Sequence, residues 1–199
     1  MKHSLFTLIF LLALSSYAQN DFWERKPISI SYYGHFYFHP GLKIGTQYNW
    51  RNWEKEKERK KRTITKNKSL FFSPQVGFYV HPQNHSGLVF NVDFGYQKLK
   101  ERKGWYQAYS VGLASISQFN AGTTYVEGND GSIKTKNAAS RTYFMPSLNL
   151  EIGKEMNPGF AWFTKFTIAS KLFYNTGVSA ETFLEIGLKI DLNLLKKSE

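Results

Sequence analysis

Cysteine is absent from all 199 residues. That excludes a disulfide framework, a thiolate nucleophile and any cysteine-bearing metal site. Stability must therefore come from packing and backbone pairing. Beyond residue 14 there is also no apolar run of the ~20 residues that a membrane-crossing helix requires, so a helical membrane protein is excluded. No glycine-rich phosphate cradle and no His-Glu-x-x-His helix occurs. Negative charge is scarce: 15 Asp and Glu stand against 26 Lys and Arg, a formal net charge of +11. Such a balance invites a nucleic-acid partner. The start of the chain argues against one.

Lys2, the apolar run Leu5–Leu14 and the small residues before Gln19 have the layout of a secretory signal peptide over residues 1–18, cut between Ala18 and Gln19. The expected exported chain of about 180 residues is one domain long. Aromatic residues make up 17% of the sequence, with 17 Phe, 12 Tyr and 5 Trp, yet the mean hydropathy is −0.42. One membrane architecture reconciles these numbers. In a transmembrane β-barrel only alternate residues meet lipid, so each strand can be half polar.

Period-two alternation recurs from Leu42 onward. Leu42, Ile44, Thr46, Tyr48 and Trp50 alternate with Lys43, Gly45, Gln47 and Asn49. Similar patterns fall at 88–97, 144–153 and 182–194, with weaker ones at 70–80, 105–116, 119–126 and 160–171. This predicts an all-β, antiparallel, up-and-down ring of eight strands over residues 42–195, followed by a tail at 196–199. Expected connections are 51–69, 99–104, 127–140 and 173–178 on one side, and 81–87, 117–118 and 154–159 on the other. With the C-terminus in the periplasm, the first set faces outward. Residues 19–41 are left over and are expected to be an extended periplasmic segment, since parity denies them a ninth crossing.

The polar face indicates which side is inward. It is rich in small residues (Gly45, Gly77, Gly95, Gly112, Gly153, Gly187) and carries both signs of charge: Lys43, Lys165 and Lys189 against Asp93, Glu151, Glu185 and Asp191. A narrow lumen filled by side chains needs such room and such partners. The opposite face is almost free of charge, as lipid requires. Trp50, Tyr96, Trp105, Tyr125 and Trp162 fall near expected strand ends, where aromatic girdles sit. A soluble periplasmic barrel holding an apolar ligand would reverse the two faces.

On these patterns, residues 42–195 resemble the small outer-membrane β-barrels of the OmpA transmembrane-domain and OmpX type, and more narrowly those of Bacteroidota-type bacteria. The resemblance implies an outer-membrane location, insertion by the barrel-assembly machinery and no through-pore. Two features depart from it. The chain ends Leu194-Leu195-Lys196-Lys197-Ser198-Glu199 instead of on an aromatic residue, and Pro74 and Pro146 lie inside expected strands.

The chemistry on offer is thin. His39, His81 and His85 fall in expected turns and are weak candidates for a metal. Ser86 with His85, or Ser31 with His35, are the pairs a lipid-modifying enzyme would use, but no carboxylate is spaced to orient either histidine. No cofactor is expected and no catalytic residue is assigned. The basic run has more to offer: residues 51–68 hold nine Lys or Arg and three Glu. Arg51, Lys55, Lys57, Arg59, Lys60, Lys61, Arg62, Lys66 and Lys68, with Lys100, Arg102 and Lys103 on the next connection, suit the phosphates of outer-membrane lipid and lipopolysaccharide. The expected function is a non-enzymatic barrel, structural or surface-interacting through those loops.

Overall fold

Alternating apolar and polar residues favour strands because successive side chains leave a pleated chain on opposite faces. The computed structural model describes residues 27–34, 40–59, 62–81, 85–120, 122, 124–127, 132–136, 140–157, 159–174 and 177–191. These residues form β1 (Ile28–Gly34), β2 (Gly41–Thr46), β3 (Tyr48–Arg59), β4 (Arg62–His81), β5 (His85–Lys100), β6 (Trp105–Asn120), β7 (Thr124–Glu127), β8 (Ile133–Lys136), β9 (Ser140–Asn157), β10 (Phe160–Tyr174) and β11 (Gly177–Ile190), with one 3-10 turn at Glu101–Lys103.

Nine strands make one sheet in the order β2-β1-β11-β10-β9-β6-β5-β4-β3, and β2 also pairs with β4. That pairing closes the sheet into an antiparallel ring. β2 and β3 run on from one another across Gln47 and both pair with β4, so nine strands occupy eight staves. β7 and β8 form a separate ribbon between β6 and β9.

These are not the eight staves that the periodicity marks out. β6 runs unbroken to Asn120, so the expected turn at 117–118 is absent, and residues 124–127 pair only within the ribbon. The place thus freed is taken by β1, inside the segment expected to lie outside the ring. β1 pairs with β11 on one side and β2 on the other. The basic run is not a loop either: β3 and β4 stay paired out to Arg59 opposite Arg62.

An even number of staves brings both chain ends to one side, here called the terminal end. Because β1 adds a crossing, the paired ends Arg59 and Arg62 and residues 101–104 lie at the terminal end. Sequence parity had placed them opposite. The strand ends Gly34, Gly41, His81, His85, Asn120, Ser140, Tyr174 and Gly177 lie at the far end. Residues 1–26, which include the expected signal peptide, and residues 192–199, which include the expected tail, lie outside the described residues.

Polarity across the wall is the reverse of a water-soluble protein. Lys43, Asp93, Lys165 and Glu185 point inward and are at most 6% exposed, whereas Leu42, Phe90, Leu148 and Ile186 point outward and are more than half exposed. Inward glycines make room for rings on the neighbouring strand. Tyr79 lies opposite Gly87 and Phe71 opposite Gly95, Tyr106 opposite Gly153 and Phe163 opposite Gly187. In each pair a Cβ on the glycine would stand within 2.8 Å of the ring. Any larger residue would displace the aromatic.

The prolines sit where the ladder is already interrupted. β4 pairs with β2 up to Gln75 and with β3 from Phe72, so Pro74 faces the break at Gln47. The Ser73 hydroxyl donates to the Thr46 carbonyl at 2.7 Å, doing what the missing proline N–H cannot. Pro146 likewise falls between the β9–β10 pairs Ser147–Ala169 and Phe144–Leu172.

Candidate functional site

Inside the ring, four staves aim charges at one point. Lys165 on β10 reaches Asp93 Oδ2 on β5 at 2.7 Å and Glu185 Oε1 on β11 at 3.6 Å, and Lys43 on β2 reaches Glu185 Oε1 at 2.5 Å. Neutral side chains complete the shell. Asn91 and Asn149 donate to Asp93 Oδ1 at 2.9 and 3.0 Å. Gln75 accepts from Lys165 at 3.2 Å, and the Ser31 hydroxyl donates to Glu185 Oε2 at 3.3 Å. Nearer the terminal end, Lys189 contacts Glu151 at 2.5 Å and Gln47 at 2.9 Å. Buried charges held this way are tolerable because each has an opposite charge and hydrogen bonds for its remaining atoms.

Of the seven lumen charges picked out in the sequence, six are brought into these pairs. Asp191 lies at the terminal mouth, where its amide donates to the Gly159 carbonyl at 2.7 Å. The sequence reading missed a further pair, Lys171 with Glu181 at 2.9 Å. Both share the inward parity of Lys165 and Glu185, which was signal enough.

Apolar layers cap the charges. Towards the far end, Tyr33 stacks on Phe183 at 5.0 Å and meets Tyr79 edge-on at 6.3 Å, among Val89, Ile116 and Met145. Beyond them, Gln118 Nε2 donates to the Tyr79 hydroxyl at 3.0 Å, and His85 Nε2 lies 3.2 Å from that hydroxyl. Towards the terminal end, Tyr106, Ala161 and Phe163 pack with Leu99. The enclosed space beside the central charges is about 10 Å³. One water at most fits there.

The terminal mouth is open and its charges are sorted. Between Asn49 and Arg51 the β3–β4 register shifts by one residue. The bulge changes which parity faces out. Beyond it Arg51 opposes Leu70, Trp53 opposes Lys68 and Lys55 opposes Lys66, all on the outward row, and Lys98 and Lys100 on β5 extend that row. Asn52, Glu54 and Asn67 are on the inward row, lining a cavity of about 560 Å³ with Asn49, Ser69 and Glu155. A second cavity of about 220 Å³ continues past Gln97 and Tyr106 to Asp191.

Arg51, Lys55, Lys100, Arg102 and Lys103 are exposed, and Lys66 and Lys68 half-buried. The register continues the outward row through positions 57, 59 and 62, but the side chains of Lys57, Arg59, Lys60, Lys61 and Arg62 lie outside the described residues. The aromatics in and beside this row are Tyr48 stacked on Phe72 (4.7 Å), Trp53 against Tyr96 (6.0 Å) and Trp105 against Trp162 (5.6 Å). Lys68 lies over the Tyr96 ring and Lys154 over Trp105, each within 6 Å.

The other sequence candidates do not assemble. His81 and His85 are at the far end with ring centroids 5.3 Å apart, and His39 and His35 lie outside the described residues. Among the described residues no three His, Cys, Asp or Glu side chains are grouped to hold a metal ion. His85 points inward and Ser86 outward on β5, so they cannot act as a pair. Ser31 is committed to Glu185.

No family model matches the chain, and no curated protein matches it. Among solved structures it is similar to the beta domain of the Bordetella autotransporter Brka, at 14% identity and a TM-score of 0.36, over 84% of this chain and 69% of that one.

Proposed function

We propose that this protein is a small transmembrane β-barrel of the bacterial outer membrane, non-enzymatic, with a sealed lumen that anchors what its ends display. One observation carries the reading. On all eight staves the outward positions across residues 28–32, 42–48, 70–80, 88–96, 109–119, 144–152, 162–172 and 182–188 carry no Asp, Glu, Lys or Arg. The charges within those same spans are inside. Bulk water would penalise such a wall, and hydrocarbon favours it. Residues 1–18 direct export, and insertion falls to the barrel-assembly machinery.

The alternative of a soluble barrel around an apolar ligand is disfavoured because the middle of the lumen is polar and leaves only about 10 Å³ beside its charges. A lipid-modifying enzyme is disfavoured because Ser86 and His85 face opposite sides of the wall. The test is fractionation followed by dodecyl sulfate electrophoresis with and without boiling. An outer-membrane band whose mobility shifts on boiling is expected of a closed, detergent-resistant ring. A soluble periplasmic protein with no shift would overturn the proposal.

A further inference from the structure

We infer that the outward basic row at the terminal end binds the phosphate headgroups of anionic phospholipids, making this rim a lipid-selective collar. The inference rests on the transmembrane reading above. Three observations carry it.

Arg51, Lys55, Lys66, Lys68, Lys98 and Lys100 begin on the outward row directly where the uncharged belt ends, at Leu70 and Tyr96. A cation there lies at headgroup depth, where each Lys or Arg adds attraction to an anionic surface. The bulge sorts the charges. Were the ladder regular past Asn49, Arg51 would fall opposite Ser69 on the inward row, Lys55 would turn in, and Glu54 and Glu56 would face lipid. One extra residue, Trp50, reverses that. The two rims also differ. At the far end the outward row reads Tyr32, Val80, Ser86, Ser117, Phe119, Thr142 and Val178, with no charge among the described residues. Trp50, Trp53, Trp105 and Trp162 all lie at the basic rim, where an indole anchors to the interface.

The choice of phospholipid over lipopolysaccharide follows from the ends of the ring. In outer-membrane barrels short turns face the periplasm and long loops the exterior. Here the longest stretch of chain outside the uncharged belt, between Phe119 and Phe144, is at the far end; the terminal end has the shorter stretches 49–69, 97–108 and 153–161. The basic rim thus meets the periplasmic leaflet, whose anions are phospholipid phosphates. The lipopolysaccharide contact expected from sequence put these residues in the opposite leaflet.

The test uses the tryptophans as reporters. The full chain is reconstituted in phosphatidylcholine vesicles containing an equal minor fraction of either brominated phosphatidylglycerol or brominated phosphatidylcholine. Tryptophan quenching by the brominated anion should exceed that by the brominated zwitterion by about twofold or more, given the attraction of several cations. High salt should shrink the ratio. In Lys66→Gln/Lys68→Gln/Lys98→Gln/Lys100→Gln the ratio should fall towards one, and Arg141→Gln at the far rim should leave it unchanged. Unboiled gel mobility reports whether each variant folds, and Lys98→Gln/Lys100→Gln serves if the fourfold change does not. Equal quenching in the wild type would overturn the inference while leaving the barrel intact. Displacement of the brominated anion by lipopolysaccharide, but not by unbrominated phosphatidylglycerol, would overturn the choice of lipid. Quenching by neither lipid would sink the transmembrane reading itself.

Discussion

Replacing Lys165 by methionine is the sharpest test of the lumen. The side chain volume is nearly kept, so packing changes little, but one ammonium is removed from between Asp93 and Glu185. Asp93 keeps hydrogen bonds from Asn91 at 2.9 Å and Asn149 at 3.0 Å, and Glu185 keeps Lys43 at 2.5 Å. What is lost is charge balance, with two buried carboxylates left sharing one lysine. Breaking a buried pair this way costs about 3–5 kcal/mol, and the retained hydrogen bonds put Lys165→Met near the lower figure. The folding equilibrium should fall by roughly a hundredfold. Lys165→Met/Asp93→Asn removes both charges, and the amide oxygen introduced at position 93 can still accept from Asn149. Most of the loss should therefore return, leaving about 1–2 kcal/mol. Urea unfolding in thin-bilayer vesicles, read by tryptophan fluorescence and unboiled gel mobility, gives both numbers. A single-variant cost under about 1 kcal/mol would match a solvated ion pair. That would refute the dry lumen.

Other outcomes follow from the wall and the lumen. Ile186→Arg places a charge in the middle of the outward belt and should cost about 2–4 kcal/mol in lipid; the same unfolding assay reads it, and a neutral result would count against a lipid-facing wall. A Cβ at Gly112 would collide with Ser147 Oγ and stand 2.5 Å from Asp93 Oδ1, so Gly112→Ala should cost about 1–3 kcal/mol by overpacking, measured against wild type in urea. Pro74→Ala should change stability by less than about 1 kcal/mol, because Pro74 faces a break in the ladder, whereas Val76→Pro, opposite Ile44, should cost about 3 kcal/mol or more. In planar bilayers the protein should give no conductance steps, and steady single-channel currents would refute the sealed lumen.

The wall was more legible than the connectivity. Alternation at 88–96, 144–152 and 182–190 reads directly as one uncharged outward face and one face turned into the ring, and the inward charges follow from the same parity. The count went astray at β6. Its outward positions 115 and 117 are serines, which look like a turn, yet Ser117 shares a 2.9 Å hydroxyl contact with Thr142 across an intact ladder. Splitting that strand filled the ring without Ile28–Gly34, and the parity error then moved the basic hairpin to the wrong end. The hairpin was misread for a second reason. Glu54-Lys55-Glu56-Lys57-Glu58-Arg59 is itself a period-two pattern, but one of opposite charges, and hydrophobicity does not register it. The bulge that orients it depends on pairing with β4 and leaves no local mark.

Closure at β1 also dictates an order of events. The seam between β1 and β11 holds seven residue pairs, against sixteen between β4 and β5. Its partners are among the most distant in the chain: Ser31 and Glu185 are 154 residues apart. Contacts that close so long a loop form late, since the chain entropy must be spent before they reward it. Until β11 arrives, Lys43 has no Glu185 and the lumen lysines outnumber their partners. Assembly of this ring is therefore electrostatically incomplete until its final strand is in place, and the seam that completes it is held by fewer than half the residue pairs of the β4–β5 ladder.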